Sequence, residues 1–175
     1  MGIVIENEFS VEAAPDDVYA LLVDVERVAP CIPGAEVLGR RDDGAYDAKA
    51  TVKLGPMSLT YKGTAEIAEA DPEARKAVLR AKGADQKGQG TAQALMSMQV
   101  EPEGAGSRVK MSSDILVSGR VAQMGRGIMQ DVATRMIGEM AKALEATLKT
   151  GSTVKAENPN AIGMVLGSVF RRKDD

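Results

Sequence analysis

Histidine is absent from this 175-residue chain and cysteine occurs once, at Cys31. The first absence removes the usual general base near neutral pH, the commonest metal ligand, and both Ser-His and Cys-His nucleophile pairs. A single sulfur cannot build a thiolate metal site, so no metal ligand is assigned. Cys31 lies between Pro30 and Pro33 with no basic cluster nearby in sequence to lower its pKa, and reads as a buried or loop cysteine. Carboxylates, lysines and tyrosines remain, in no recognisable catalytic motif, and no catalytic residue is assigned. Tyr46 and Tyr61 could offer hydroxyls to a ligand carbonyl or hydroxyl. Packing with the hydroxyl at a rim is the simpler role, since a buried Tyr needs a polar partner in any case.

Glycines raise two further candidates. Gly125-Arg126-Gly127-Ile128-Met129-Gln130 begins like a dinucleotide fingerprint but lacks the third glycine, and it lies inside a helical pattern instead of at a strand-to-helix turn. These glycines are read as thinning a helix beside a pocket, or as letting a ligand or partner approach the backbone. Gly88-Gln89-Gly90 is read as a hairpin turn.

The elements that must position any site follow from periodicity. Ile3 to Val11 alternates as a half-buried strand. Ala14-Pro15-Asp16-Asp17 opens a helix with Val18, Leu21, Leu22 and Val25 on its buried stripe, ended by Pro30 to Gly34. Turn signals at Asp42-Asp43-Gly44, Gly55-Pro56, Asp71-Pro72-Glu73, Gly88-Gln89-Gly90 and Glu103 to Gly106 divide the next stretch into about six antiparallel strands. From Val121 to Leu148 apolar residues step by three and four, predicting an amphipathic helix about 40 Å long at about 1.5 Å per residue. The fold class is therefore α+β. It is a helix-grip arrangement, with a curved sheet of about seven strands wrapped around one long C-terminal helix.

The inward positions on those strands decide between a packed core and a cavity. Gly and Ala are frequent among them (Ala48, Ala50, Gly63, Ala65, Ala81, Gly83, Ala92 and Ala94), while Lys49, Lys62, Arg80, Lys82 and Lys110 alternate outward. The interior looks under-filled, and much of its remaining bulk is methionine, which adapts to irregular apolar shapes. The candidate ligand-binding set is Tyr46, Tyr61, Leu79, Met96, Met98, Met111 and Ile115 from the sheet, with Met124, Ile128, Met129, Val132 and Met136 from the helix. Each methionine taken singly can equally be a gap-filler in an ordinary core.

With 44% hydrophobic residues the chain can bury one real core. Residues 1–150 are read as the ligand-binding domain, 151–160 as a flexible linker and 161–175 as an amphipathic docking tail. In the tail, Ile162, Val165, Leu166, Val169 and Phe170 share one helical face, followed by Arg171, Arg172 and Lys173. A segment this short cannot cross a bilayer, for which about 20 residues are needed, but it suits an anionic membrane surface or a partner. A net charge of −3, scattered basic residues, two Phe and no Trp argue against nucleic acid. The N-terminus lacks a signal-peptide pattern, so the expected location is the cytoplasm, peripheral on the inner face of the membrane.

Three segments carry a likeness: Pro30-Cys31-Ile32-Pro33-Gly34-Ala35, Leu54-Gly55-Pro56-Met57, and Ser118-Gly119-Arg120-Val121-Ala122-Gln123-Met124-Gly125. Together they resemble the CoxG family, the G subunit of carbon monoxide dehydrogenase, within the START/Bet v1-like (SRPBCC) superfamily, over residues 2–150. The resemblance implies a helix-grip fold without chemistry of its own and a partner in the molybdenum-containing, aerobic carbon monoxide dehydrogenase. It also implies a link to the respiratory quinone pool. No catalytic cofactor is expected. The bound group would be an isoprenoid quinone, menaquinone or ubiquinone, its chain among Met96, Met98, Met111, Met124, Ile128, Val132 and Met136 and its headgroup near the mouth. The rival expectations are an anchoring or maturation factor with a filled interior, and a cyclase-like or hydrolase-like enzyme.

Overall fold

A computed structural model describes residues 2–151 and 154–156. Its first strand, β1 (Gly2–Val11), buries Ile3, Ile5 and Val11 and exposes Val4, Glu6 and Glu8, as the alternation requires. Helix α1 (Pro15–Leu22) follows, with Pro15 in its first turn and Asp16 and Asp17 at its positive end. The predicted stripe is buried, but Val25 belongs to a separate turn of helix, α2 (Val25–Val28), capped by the Asp24 side chain accepting from Arg27 N–H at 3.3 Å. A 3-10 turn (Ala29–Cys31) then leads into the sheet.

Strands β2 (Ala35–Arg40), β3 (Tyr46–Leu54), β4 (Met57–Asp71), β5 (Lys76–Asp85), β6 (Thr91–Glu103) and β7 (Gly106–Val117) fall between the turn signals. They form an open antiparallel sheet of seven strands in the order β1-β7-β6-β5-β4-β3-β2. Bulges at Val37/Gly39 and Ile67/Glu69 bend it.

The long helix begins later than its apolar repeat. Val121 and Met124 lie on a 3-10 segment, Gly119–Met124, and helix α3 runs from Arg126 to Thr150. The break is Gly125, at φ 86° and ψ 164°, a conformation open essentially to glycine alone. Gly125 therefore separates two elements instead of thinning one, and the 25 residues of α3 span about 38 Å.

At its other end α3 stops at Gly151, in the left-handed region with φ 71°. The chain then turns back onto the body. Val154 N–H donates to the buried Thr147 Oγ1 at 2.9 Å, and Ala156 N–H donates to the Pro30 carbonyl at 2.8 Å. Cys31, fully buried, packs its sulfur 3.5 Å from Thr147 Oγ1 and 3.7 Å from the Val154 carbonyl. Within the stretch expected as linker, Val154 and Ala156 are thus held to the domain; residues 157–160 and the tail lie outside the described residues.

Two apolar clusters divide the interior. One gathers α1, the C-terminal half of α3 and the neighbouring parts of the sheet around Leu21, Val100, Val109 and Leu144. The other joins Ile3, Ile5, Leu54, Leu59, Val117 and Val121 to Met129 and Val132 of α3.

Candidate functional site

Register fixes the inner surface of the sheet. Ala48 lies opposite Gly63, Gly63 opposite Gly83, and Gly83 opposite Ala92. One step along, Tyr46, Ala65, Ala81, Ala94 and Ile115 continue strand by strand. Cross-strand partners share a face, so β3 to β6 carry a contiguous belt of the smallest residues. The alternation in the sequence located this belt correctly.

The belt floors an apolar hollow of about 170 Å³ lined by Ala48, Ala50, Tyr61, Gly63, Ala65, Ala81, Gly83, Ala92, Ala94 and Ile115, with Lys49, Thr64, Lys82 and Gln93 also along its wall. Its glycines have a second cause. A Cβ on Gly63 would collide with the Lys82 carbonyl and the Gly83 backbone, so close approach of β4 and β5 requires glycine there whatever fills the hollow.

Helix α3 and the 3-10 segment before it face part of this region with methionine. Met129 and Val132 are buried in the second cluster, and Met124, Met136, Tyr61 and Ile115 pack against it partly buried. These six of the expected residues are brought together. Met98 and Met111 are buried in the other cluster with Leu79 and Met96 packed on it, so these four belong to a filled core. Ile128 is 43% exposed and stands in neither cluster, so it does not line the interior. Tyr46 stands in neither cluster; its ring lies beneath the Arg40 guanidinium, 5.9 Å from the ring centroid.

Sequence reading missed Asp85, the register partner of Tyr61. Its buried carboxylate accepts N–H bonds from Thr60 at 3.0 Å, Lys87 at 3.0 Å and Gln89 at 3.2 Å, pinning the β5-β6 turn to β4. The signal available was an Asp immediately before a Gln-Lys-Gly turn, where a side chain can bond amides two to four residues on. Burial raises the Tyr61 hydroxyl above its ordinary pKa, and the Asp85 charge raises it further, so it is a protonated donor at neutral pH.

A larger depression, about 660 Å³, lies on the opposite face among Glu6, Glu8, Glu69, Lys76, Ser97, Gln99 and Lys110, with Ala77, Val78, Met98 and Met111 also in its wall. With five charged residues in its wall against Lys49 and Lys82 in that of the smaller hollow, it suits water or a polar partner, and lining chemistry favours the smaller hollow for an apolar ligand. Among the described residues no group of three or more His, Cys, Asp or Glu is placed to hold a metal. Among the same residues no helix is long and apolar enough to cross a membrane.

Solved structures share this architecture at low identity. A conserved protein from Geobacillus kaustophilus matches with a TM-score of 0.75 and 18% identity, over 85% of this chain and 96% of its own. A START superfamily protein from Mycobacterium smegmatis gives 0.56 and 17%, over 85% and 99%. The Zhui aromatase/cyclase from Streptomyces sp. R1128 gives 0.59 and 16%, over 88% and 100%. At these identities the likeness establishes the START/Bet v1-like fold. Among curated proteins no relative matches the sequence. The family model of the carbon monoxide dehydrogenase G subunit (CoxG) matches residues 8–149, and with the helix-grip fold beneath that match the chain belongs to the CoxG family.

Proposed function

We propose that this protein is a non-catalytic, lipid-binding accessory protein of aerobic carbon monoxide dehydrogenase. It holds an isoprenoid quinone, menaquinone or ubiquinone, against the small-residue belt and links the enzyme to the membrane quinone pool. The observation that carries this reading is the apolar hollow beside the second packed cluster, floored by a belt of alanines and glycines. Tyr61 donates from the hollow's wall to a quinone carbonyl, and the alanine floor gives a flat ring a close apolar seat. The hollow is smaller than the roughly 300–1,000 Å³ of an ordinary ligand pocket. A long isoprenoid chain therefore enters only as Met124 and Met136 shift, which thioether side chains do at low cost.

No described side chain in the hollow pairs an acid with a base, and Tyr61 is kept protonated, so this reading assigns no catalytic role. The modest volume favours a second reading, an anchoring or maturation factor with nothing bound. One titration separates the two. Ala65→Leu with Ala94→Leu fills the hollow from β4 and β6, at a cost in stability of about 1–3 kcal/mol each. A short-chain quinone in detergent should bind the wild-type protein, and the double variant, folded by circular dichroism, should bind it at least ~10-fold more weakly, equivalent to about 1.4 kcal/mol. Absence of binding to the wild type, or equal binding to the filled variant, would leave the ligand-free role.

A further inference from the structure

On the outer face of the sheet, away from α3, register sets the side chains of four neighbouring strands in rows. Glu8 of β1 stands opposite Lys110 of β7, Lys110 opposite Gln99 of β6, and Gln99 opposite Lys76 of β5. The following rows, in the same strand order, are Glu6, Ser112, Ser97 and Val78; Val4, Asp114, Leu95 and Arg80; and Gly2, Leu116, Gln93 and Lys82. Strand by strand, β1 is therefore acidic and β5 basic. The two strands between them balance Lys110 against Asp114 and otherwise present serine, glutamine and leucine. The order of charge is thus antisymmetric about the boundary between β7 and β6.

Three of the five exposed large hydrophobics among the described residues lie on this face: Val4 at 63% exposure, Leu116 at 53% and Leu95 at 41%. Leu116 is a diagonal neighbour of both others, so the three form one patch. Exposed apolar residues scattered singly are ordinary, whereas grouped ones rimmed by polar residues mark contact surfaces. These four strands also pair without a bulge, while the irregularities of the sheet fall between β2 and β3 and between β4 and β5. Glu6, Asp114, Lys76 and Lys82 have no ion-pair partner among the described residues. Glu8 and Arg80 are held only in exposed pairs with Arg108 and Glu66, which contribute little and can be exchanged.

We infer that this face of β1, β7, β6 and β5 binds the same face of a second copy of the chain in a two-fold dimer. A two-fold interface needs a patch complementary to itself, and a charge order that reverses across its own midline has that property. An axis along the strands between β7 and β6 lays the acidic β1 of each copy over the basic β5 of the other. Glu8 then falls over Lys76, Glu6 falls between Lys76 and Arg80, and Leu116 comes beside Leu95 of the second copy near the axis. Sheets packed face to face keep their strands within about 30° of each other, which this arrangement allows. Four strands about 4.8 Å apart with about 27 Å of shared length give roughly 500 Å² on each copy, or about 1,000 Å² in all, the size of a weak and reversible interface. The depression of about 660 Å³ over Ser97 and Ser112 lies inside the contact and holds bridging water. The inner face of the sheet, with its hollow, stays free in both copies.

The test is sedimentation equilibrium of the full chain across the micromolar range. The mass should rise with concentration from 18.4 kDa toward twice that value. Leu95→Asp with Leu116→Asp should raise the dissociation constant at least ~100-fold, with the fold intact by circular dichroism. Two charge variants give the sharper readout. Glu6→Lys with Glu8→Lys makes β1 and β5 both basic, and Lys76→Glu with Arg80→Glu makes both acidic on balance. Each alone should dimerise at least ~10-fold more weakly, and an equal mixture of the two should regain dimers, because each basic strand then meets an acidic one. A variant that merely disturbed its own fold would gain nothing from mixing. A wild type that is monomeric at every concentration would overturn the inference, and so would a dimer indifferent to all the variants or a mixture that stays monomeric. Co-purification with the dehydrogenase is followed in parallel. Its loss in the leucine variant of a monomeric wild type would assign the face to that enzyme and overturn the dimer.

Discussion

Asp85 is a buried carboxylate whose two oxygens are occupied by three backbone amides, and it starts the β5-β6 turn opposite Tyr61. Replacing it with Ala leaves those amides to find water, and hydrogen bonds to a charged group are worth about 1.5–3 kcal/mol. Thermal unfolding of Asp85→Ala should therefore move down by roughly 5–10 °C, at about 2–4 °C per kcal/mol for a chain of this size. A second consequence belongs to the tyrosines. Tyr19 donates to the Lys76 carbonyl at 2.9 Å, and burial together with a neighbouring carboxylate raises both Tyr19 and Tyr61 above the ordinary 10.0. The unfolded chain releases these protons first, so the folded state keeps their contribution below about pH 10 and loses it as the pH climbs toward the raised values. Denaturant midpoints measured across that range should fall, and the fall should be shallower in Tyr61→Phe.

At the scale of elements, the turns, the seven strands and the inner face of the sheet were legible because each rests on a local signal: a period of two, a period near three and a half, or a Gly/Pro break. The start of α3 was not. Val121, Met124 and Ile128 keep helical spacing across Gly125, and only the backbone angle of that one glycine shows that the pattern bridges a 3-10 segment and a helix. Gly125→Ala should cost about 1–3 kcal/mol, the range for a residue forced into so sparsely populated a conformation. A denaturant melt showing no loss would mean that the break has another cause. Within the site, the small-residue belt was readable from alternation, whereas the division of the methionines was not. Met98 and Met111 look like Met129 in sequence, and only the packing of α1 over β6 and β7 shows that they are part of a filled core.

The whole molecule combines a small-residue hollow on the inner face of the sheet with a described chain end bonded to Pro30 and Thr147. On the carrier reading the hollow is the seat for the ligand. Deleting residues 161–175 should lower vesicle association and leave quinone affinity in detergent unchanged. Cosedimentation of the shortened protein at wild-type levels would contradict the docking role of the tail. The central claim is that the hollow carries a quinone, and the most direct measurement is solvent extraction of purified full-length protein followed by mass spectrometry and ultraviolet absorption. A near-stoichiometric isoprenoid quinone in the extract is the predicted result. An extract without quinone, from a protein that also takes up none when it is added, would contradict it.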